Sequence, residues 1–96
     1  MNRTSVLVES VADPLAFSVT EVTGLKSLEV DSIDGHREAA DVARSMASLL
    51  DLPSNTTPYS LRDDASARML ADDLPLGGQI PSTGARLVVI PKSHLG

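Results

Sequence analysis

Hydrophobic and polar residues alternate along the first part of the chain, and this period-two pattern predicts β-strands. The alternation is clearest at residues 17–22 and at residues 28–31, which a Thr-Gly pair separates. Further strand signals occur at residues 5–9, 59–62, 67–70 and 87–90. The run at 87–90 is continuously apolar and Pro91 follows it, so we expect a central strand that ends there.

Residues 38–50 change to a helical pattern. They contain no Gly or Pro and are rich in Ala. The predicted apolar stripe consists of Val42, Met46, Leu49 and Leu50. Asp34 is a candidate N-cap, and Pro53 stops the helix soon after its last apolar residue.

The order of these elements predicts an α+β fold in which a sheet wraps one helix. The helical stripe is expected to pack against Val19, Leu28, Val30, Leu87 and Val89. Residues 72–80 are expected to be compact irregular chain, with Leu74, Leu76 and Ile80 as its anchors.

Residues 17–32 resemble the first hairpin of ubiquitin, with a Thr23-Gly24 turn and a second strand that contains Leu28-Glu29-Val30. Residues 74–80, followed by Gly84 and the last strand, resemble the late part of the same family. The chain is therefore similar to the ubiquitin-like β-grasp family over residues 16–96. The resemblance implies a twisted mixed sheet packed on one helix.

The resemblance also suggests a division of the chain. The predicted parts are an N-terminal extension at 1–15, a ubiquitin-like domain at 16–91 and a flexible C-terminal tail at 92–96. The extension can add an edge strand. An alternative register makes residues 5–10 the first family strand and 17–22 the second, but it leaves residues 26–30 unused, so we favour the later pairing.

Charge and composition narrow the class of function. The chain has 96 residues, which suits one domain, and carries a net charge of −5, which disfavours nucleic acid and anionic membranes as partners. It has no cysteine, which excludes thiol nucleophiles and thiolate metal sites. The start lacks an apolar segment long enough for a signal peptide or a membrane span, so we expect a cytoplasmic protein.

No residue pattern indicates catalysis. His36 and His94 are the two histidines, and neither has the neighbours that a metal site or a catalytic triad needs. The Asp63-Asp64 and Asp72-Asp73 pairs lack the ligand spacing of a calcium loop and are interpreted as turn residues. We therefore expect no enzyme activity, no catalytic residues, no metal and no cofactor.

The C-terminal residues match ubiquitin's last strand and tail without a gap, and the sequence ends in Gly96 instead of a double Gly. The resemblance implies conjugation through the Gly96 carboxylate after adenylation. Lys92, His94 and Leu95 are the candidate tail-recognition residues. Because Pro91 ends the strand, we expect residues 92–96 to extend freely.

Alternation along the last strand places Val88 and Ile90 on the side opposite the helix. Leu61 resembles the exposed apolar residue of ubiquitin's recognition face. We expect Leu61, Val88 and Ile90 to form a protein-interaction patch, unless residues 1–15 fold back and cover it.

Two functions remain open. The first is a ubiquitin-like modifier of a bacterial conjugation pathway. Its partners would be activating and conjugating enzymes, a target protein and a deconjugating peptidase. The second is a non-covalent ubiquitin-like adaptor of a secretion system or a multicomponent enzyme. A sulfur carrier is third, because the double Gly is missing.

Overall fold

The computed structural model describes residues 6–8, 14–53 and 58–92, with the backbone alone for residues 6–8. These residues form one helix and six strands. In chain order the elements are β1 (Val6–Val8), β2 (Pro14–Glu21), β3 (Ser27–Asp34), α1 (Ala39–Leu49), β4 (Tyr59–Asp63), β5 (Arg68–Met69) and β6 (Ala85–Pro91). No helix in these ranges is long and apolar enough to cross a membrane.

The strands form a mixed sheet in the order β1-β3-β2-β6-β4-β5. β2 and β3 are an antiparallel hairpin, and β6 pairs in parallel with β2 and antiparallel with β4. The predicted central position of the last strand is confirmed. β1 pairs in parallel with β3 at the edge of the sheet, so β2 is the first strand of the β-grasp pattern and the favoured register is confirmed.

Strand alternation and the helical stripe produce a core between α1 and one face of the sheet. The sheet contributes Leu15, Phe17, Val19, Leu28, Val30, Ile33, Tyr59, Leu61, Leu87 and Val89. The helix contributes Ala39, Val42, Ala43, Met46, Ala47 and, just after its end, Leu50. The predicted contact between the helical stripe and the strands is therefore confirmed, with one exception.

The exception is Leu49, whose side chain is half exposed, whereas Leu50 is buried. Ala39, Ala43 and Ala47 are fully buried and widen the apolar stripe on the side of the helix away from Leu49. Small side chains allow the helix to approach the sheet closely. Hydrophobicity alone does not show that the side of the helix with the alanines, and not the side with Leu49, faces the sheet.

The start of the helix is held by a loop rather than by a side-chain cap. Glu38 occupies the N-cap position without a side-chain hydrogen bond. The backbone N–H groups of Ala39 and Ala40 donate to the carbonyl oxygens of Leu74 and Asp72, both at 3.0 Å. These bonds satisfy donors that the first turn of a helix leaves free. The predicted N-cap, Asp34, instead accepts the backbone N–H of His36 in the preceding turn.

The loop at residues 70–80 is anchored by Leu70, Leu76 and Ile80, which are buried. Leu74, predicted to be an anchor, has a half-exposed side chain. It contacts the helix through its carbonyl oxygen, which accepts the backbone N–H of Ala39. Gly77 donates its N–H to the Gly35 carbonyl oxygen at 2.8 Å. This close approach fixes the loop against the turn between β3 and α1.

Candidate functional site

The predicted interaction patch does not form, because its three residues lie on different sides of the sheet. Leu61 is fully buried in the core beneath the helix. Val88 and Ile90 lie on the opposite side, as alternation predicts, but each is only 6% exposed. Successive strand residues point to opposite faces, so the outward position in β4 belongs to the next residue, Arg62.

The face opposite α1, called the outer face, is organised in cross-strand rows. Residues directly paired across a ladder share a face of the sheet. One row runs through Thr20, Val88, Arg62 and Met69, on β2, β6, β4 and β5. The arginine therefore stands beside a buried valine and next to a partly exposed methionine.

A second row crosses the outer face nearer the start of β6. It contains Glu29, Ser18 and Arg86, on β3, β2 and β6. Glu29 and Arg86 are both exposed. The outer face therefore carries an acid on β3 and arginines on the central strand β6 and on β4.

Arg62 is a charged residue of this face whose side chain is only partly exposed to solvent. Its side chain is 37% exposed, and its Nη2 lies 3.7 Å from Asp64 Oδ1. Its Nε is buried, and among the described residues no acceptor bonds to it. Buried donors in native proteins nearly always have a partner, so the Arg62 guanidinium is incompletely hydrogen-bonded and is a candidate contact for a ligand's oxygen where its side chain is exposed.

The exit of β6 is held more firmly than the sequence predicts. Pro91 belongs to the strand and pairs with Tyr59. The backbone N–H of Lys92 donates to the Pro58 carbonyl oxygen at 2.9 Å, and its Nζ lies 2.8 Å from Asp72 Oδ2. The expectation of a tail free from residue 92 onward is therefore wrong at Lys92. His94, Leu95 and Gly96 lie outside the described residues.

Asp72 has a role that the sequence does not reveal. Its carboxylate accepts the buried Ser60 hydroxyl at 3.0 Å as well as the Lys92 ammonium. Because the partners are distant in sequence, no local motif could identify this cluster. The interpretation of Asp72 as a solvated turn residue is therefore incomplete.

The loop between β2 and β3 is organised by Glu21. This carboxylate accepts the hydroxyl and the backbone N–H of Thr23, and the backbone N–H groups of Leu25 and Lys26. The Thr23 hydroxyl bond makes the largest contribution to holding the pKa of Glu21 below its ordinary value, because these donors favour the charged form.

Asp34, His36 and Asp63 make hydrogen bonds that are ordinary for turns. His36 Nδ1 lies 3.0 Å from Asp34 Oδ1, and the backbone N–H of His36 is the main reason that the pKa of Asp34 is lowered. Asp63 accepts the Ser66 hydroxyl at 2.8 Å. Within the described ranges, no three metal-ligating side chains are grouped together.

Comparison with known proteins places this geometry in a fold class. No family model and no curated protein sequence matches the chain. The structure is similar to the UBL domain of Dsk2 from Plasmodium falciparum, with a TM-score of 0.62, 17% identity, and coverage of 81% of this chain and 97% of that chain. At such identity, the likeness shows the fold alone.

Two further structures are similar to the chain. Tubulin-binding cofactor B from Trypanosoma brucei has a TM-score of 0.60 and 15% identity, covering 81% of this chain and 94% of that chain. The C-terminal ubiquitin-like domain of mouse tubulin-specific chaperone e has a TM-score of 0.58 and 20% identity, covering 86% of this chain and 91% of that chain. The chain adopts the ubiquitin-like β-grasp fold. The expected bacterial origin and cytoplasmic location stay predictions.

Proposed function

We propose that this chain is a ubiquitin-like protein-interaction module that binds a partner protein non-covalently through the outer face. The observation that supports this proposal is the Arg62 side chain, which is 37% exposed on the outer face and whose buried Nε lacks an acceptor among the described residues. A carboxylate of a partner would pair with this partly exposed guanidinium, and charge-assisted hydrogen bonds are stronger than neutral ones.

The chemistry of the partner follows from the surroundings of Arg62. Arg86 adds a second exposed guanidinium on the same face, and Met69 adds a partly exposed apolar side chain. The two arginines lie on β4 and β6, with Asp64 beside Arg62 and Glu29 across the sheet on β3. We therefore propose that the partner presents an acidic side chain beside an apolar one.

A matched pair of arginine variants tests the binding face. Arg62→Gln removes the guanidinium from the outer face, whereas Arg44→Gln removes one from the exposed surface of α1. The tagged variants are used to capture partners from the native organism, and their folding is checked by circular dichroism. We expect Arg62→Gln to lose a partner that wild type and Arg44→Gln both retain. Identical captured sets from all three proteins would contradict the proposal.

A second candidate function is covalent modification through Gly96. The structural observation that favours it is the position of β6, which is paired along both sides and leads directly to Lys92. Because β6 is hydrogen-bonded to a strand on each side, the chain that follows it would start from a fixed position when an activating enzyme binds it. The function requires adenylation of a free Gly96 carboxylate by ATP with release of pyrophosphate, and then attack of a target amine, which forms the amide and releases AMP. Leu95 and His94 would contact the activating enzyme.

Intact mass measurement separates the two functions. Purified from its native organism, a modifier carries a free Gly96 carboxylate or is joined to a target. Co-expression with an activating and a conjugating enzyme should produce an adduct that deletion of Gly96 abolishes. The variant Leu95→Ala, which keeps the reacting carboxylate, should reduce adduct formation without eliminating it. An adduct that survives deletion of Gly96 would contradict this mechanism.

A further inference from the structure

The loop at residues 22–26, called the hairpin tip, presents an apolar side chain to solvent. Leu25 is 87% exposed and Val22 is 50% exposed, and the Lys26 side chain beside them is also exposed. The Glu21 carboxylate holds the backbone of this loop through hydrogen bonds from Thr23, Leu25 and Lys26. A loop fixed in this way loses little conformational entropy when its exposed leucine enters a pocket.

A cleft of about 280 Å³ lies at the other end of the sheet, between residues 63–65 and residues 81 and 84–86. Ala65, Pro81 and Ala85 give it apolar walls. Asp63 and Asp64 line one side and Arg86 the other. Asp64 also pairs with Arg62, so Asp63 is the carboxylate of the cleft that best suits an ammonium group following an apolar side chain.

The tip and the cleft cannot meet within one molecule. β2 and β6 run in parallel, with Phe17 opposite Ala85 and Glu21 opposite Val89. The cleft lies at the Ala85 end and the tip extends beyond the Glu21 end. Four residues of strand separate these ends by about 13 Å, before the tip itself is counted. A contact between the tip and the cleft therefore requires two molecules.

We propose that the chain self-associates head to tail, with Leu25 of one copy inserted in the cleft of the next and Lys26 facing Asp63. The observations that carry this proposal are the apolar match and the charge complementarity of the two surfaces. A heterologous contact of this kind does not close on itself as a two-fold dimer does, so it builds chains or rings. The inference does not depend on the proposed function.

Sedimentation velocity on the full chain tests self-association, up to about 1 mM, where a small and weak contact becomes populated. We expect the average mass of the wild type to rise with concentration. Leu25→Asp should remain monomeric, and Leu49→Asp, which makes the same change at a half-exposed position on α1, should behave like wild type. A wild type that stays monomeric throughout, or an unaffected Leu25→Asp variant, would overturn the proposal.

Mixing two blocked variants distinguishes head-to-tail association from a symmetric dimer. Ala65→Arg fills the cleft but keeps the tip, whereas Leu25→Asp keeps the cleft. Each alone should be monomeric, and their mixture should form a one-to-one dimer that grows no further. Ser48→Arg, an equal charge change on an exposed helix position, is the control and should still form larger assemblies with itself.

Isotope labelling identifies the surfaces in that mixture. With Leu25→Asp labelled with ¹⁵N, amide shifts should change at residues 63–65 and 84–86. With Ala65→Arg labelled, they should change at residues 22–26. No dimer in the mixture, or shifts elsewhere on the sheet or helix, would overturn the proposed contact even if the wild type self-associates.

Discussion

Truncation of Leu61 to alanine should destabilise the fold strongly, because the structure places this side chain in the core and not in an exposed patch. Leu61 is fully buried and pairs with Val89 on the central strand. The change removes three carbon atoms, worth about 2 kcal/mol in transfer free energy at ~0.8 kcal/mol for each buried methylene-sized group. The cavity left behind raises the cost to about 3–4 kcal/mol.

This loss is large for a chain of 96 residues. Such a domain has a free energy of unfolding of about 5–14 kcal/mol, so Leu61→Ala removes about a fifth or more of it. Each kcal/mol lowers the melting temperature of a domain of this size by about 4–8 °C, which predicts a fall of at least ~12 °C.

Urea unfolding followed by circular dichroism measures this effect. Leu74→Ala, which makes the same change at a half-exposed position, is the control and should cost less than about 1 kcal/mol. A Leu61→Ala variant within about 0.5 kcal/mol of wild type would refute the assignment of Leu61 to the core. It would also refute the register that places Arg62 on the outer face.

Three further changes test particular contacts. Glu21→Gln should lower the free energy of unfolding at neutral pH. Because the pKa of Glu21 is lowered in the folded state, this loss relative to wild type should vanish as the pH falls through that pKa. A loss that is unchanged between about pH 6 and pH 3 would contradict this. Gly77→Ala should cost about 1–3 kcal/mol in urea unfolding, because the new Cβ would lie 3.0 Å from the Gly35 carbonyl oxygen; an unchanged midpoint would refute the close approach. Asp72→Asn should cost only about 0.2–1 kcal/mol through loss of the partly exposed Lys92 pair, and a loss above about 2 kcal/mol would mean a larger role.

The fold could be predicted from the sequence because its signals are local and agree with one another. The hairpin of β2 and β3, the helix and the apolar last strand each have a period that specifies one element. The order of these elements then leaves few topologies. Leu49 was misplaced because hydrophobicity does not distinguish a leucine at the edge of a stripe from a buried alanine such as Ala43.

The candidate site could be predicted only in part, because it depends on contacts between distant residues. Strand alternation predicts that Val88 lies opposite the helix. Its neighbours on the adjacent strands, Thr20 and Arg62, depend on the register of the sheet, which the sequence does not reveal. A register shift of one residue in β4 exchanges Leu61 and Arg62 between core and surface. The Asp72 contacts with Ser60 and Lys92 likewise require the folded loop.

Mapping a bound partner on the chain by nuclear magnetic resonance tests the proposed binding face most directly. The ¹⁵N-labelled chain is titrated with the partner that wild type retains and Arg62→Gln loses. We expect the largest amide shifts along the rows of the outer face, at Ser18, Thr20, Arg62 and Arg86. Shifts concentrated on the exposed surface of α1, at Ser48 and Leu49, with the outer face unchanged, would contradict it.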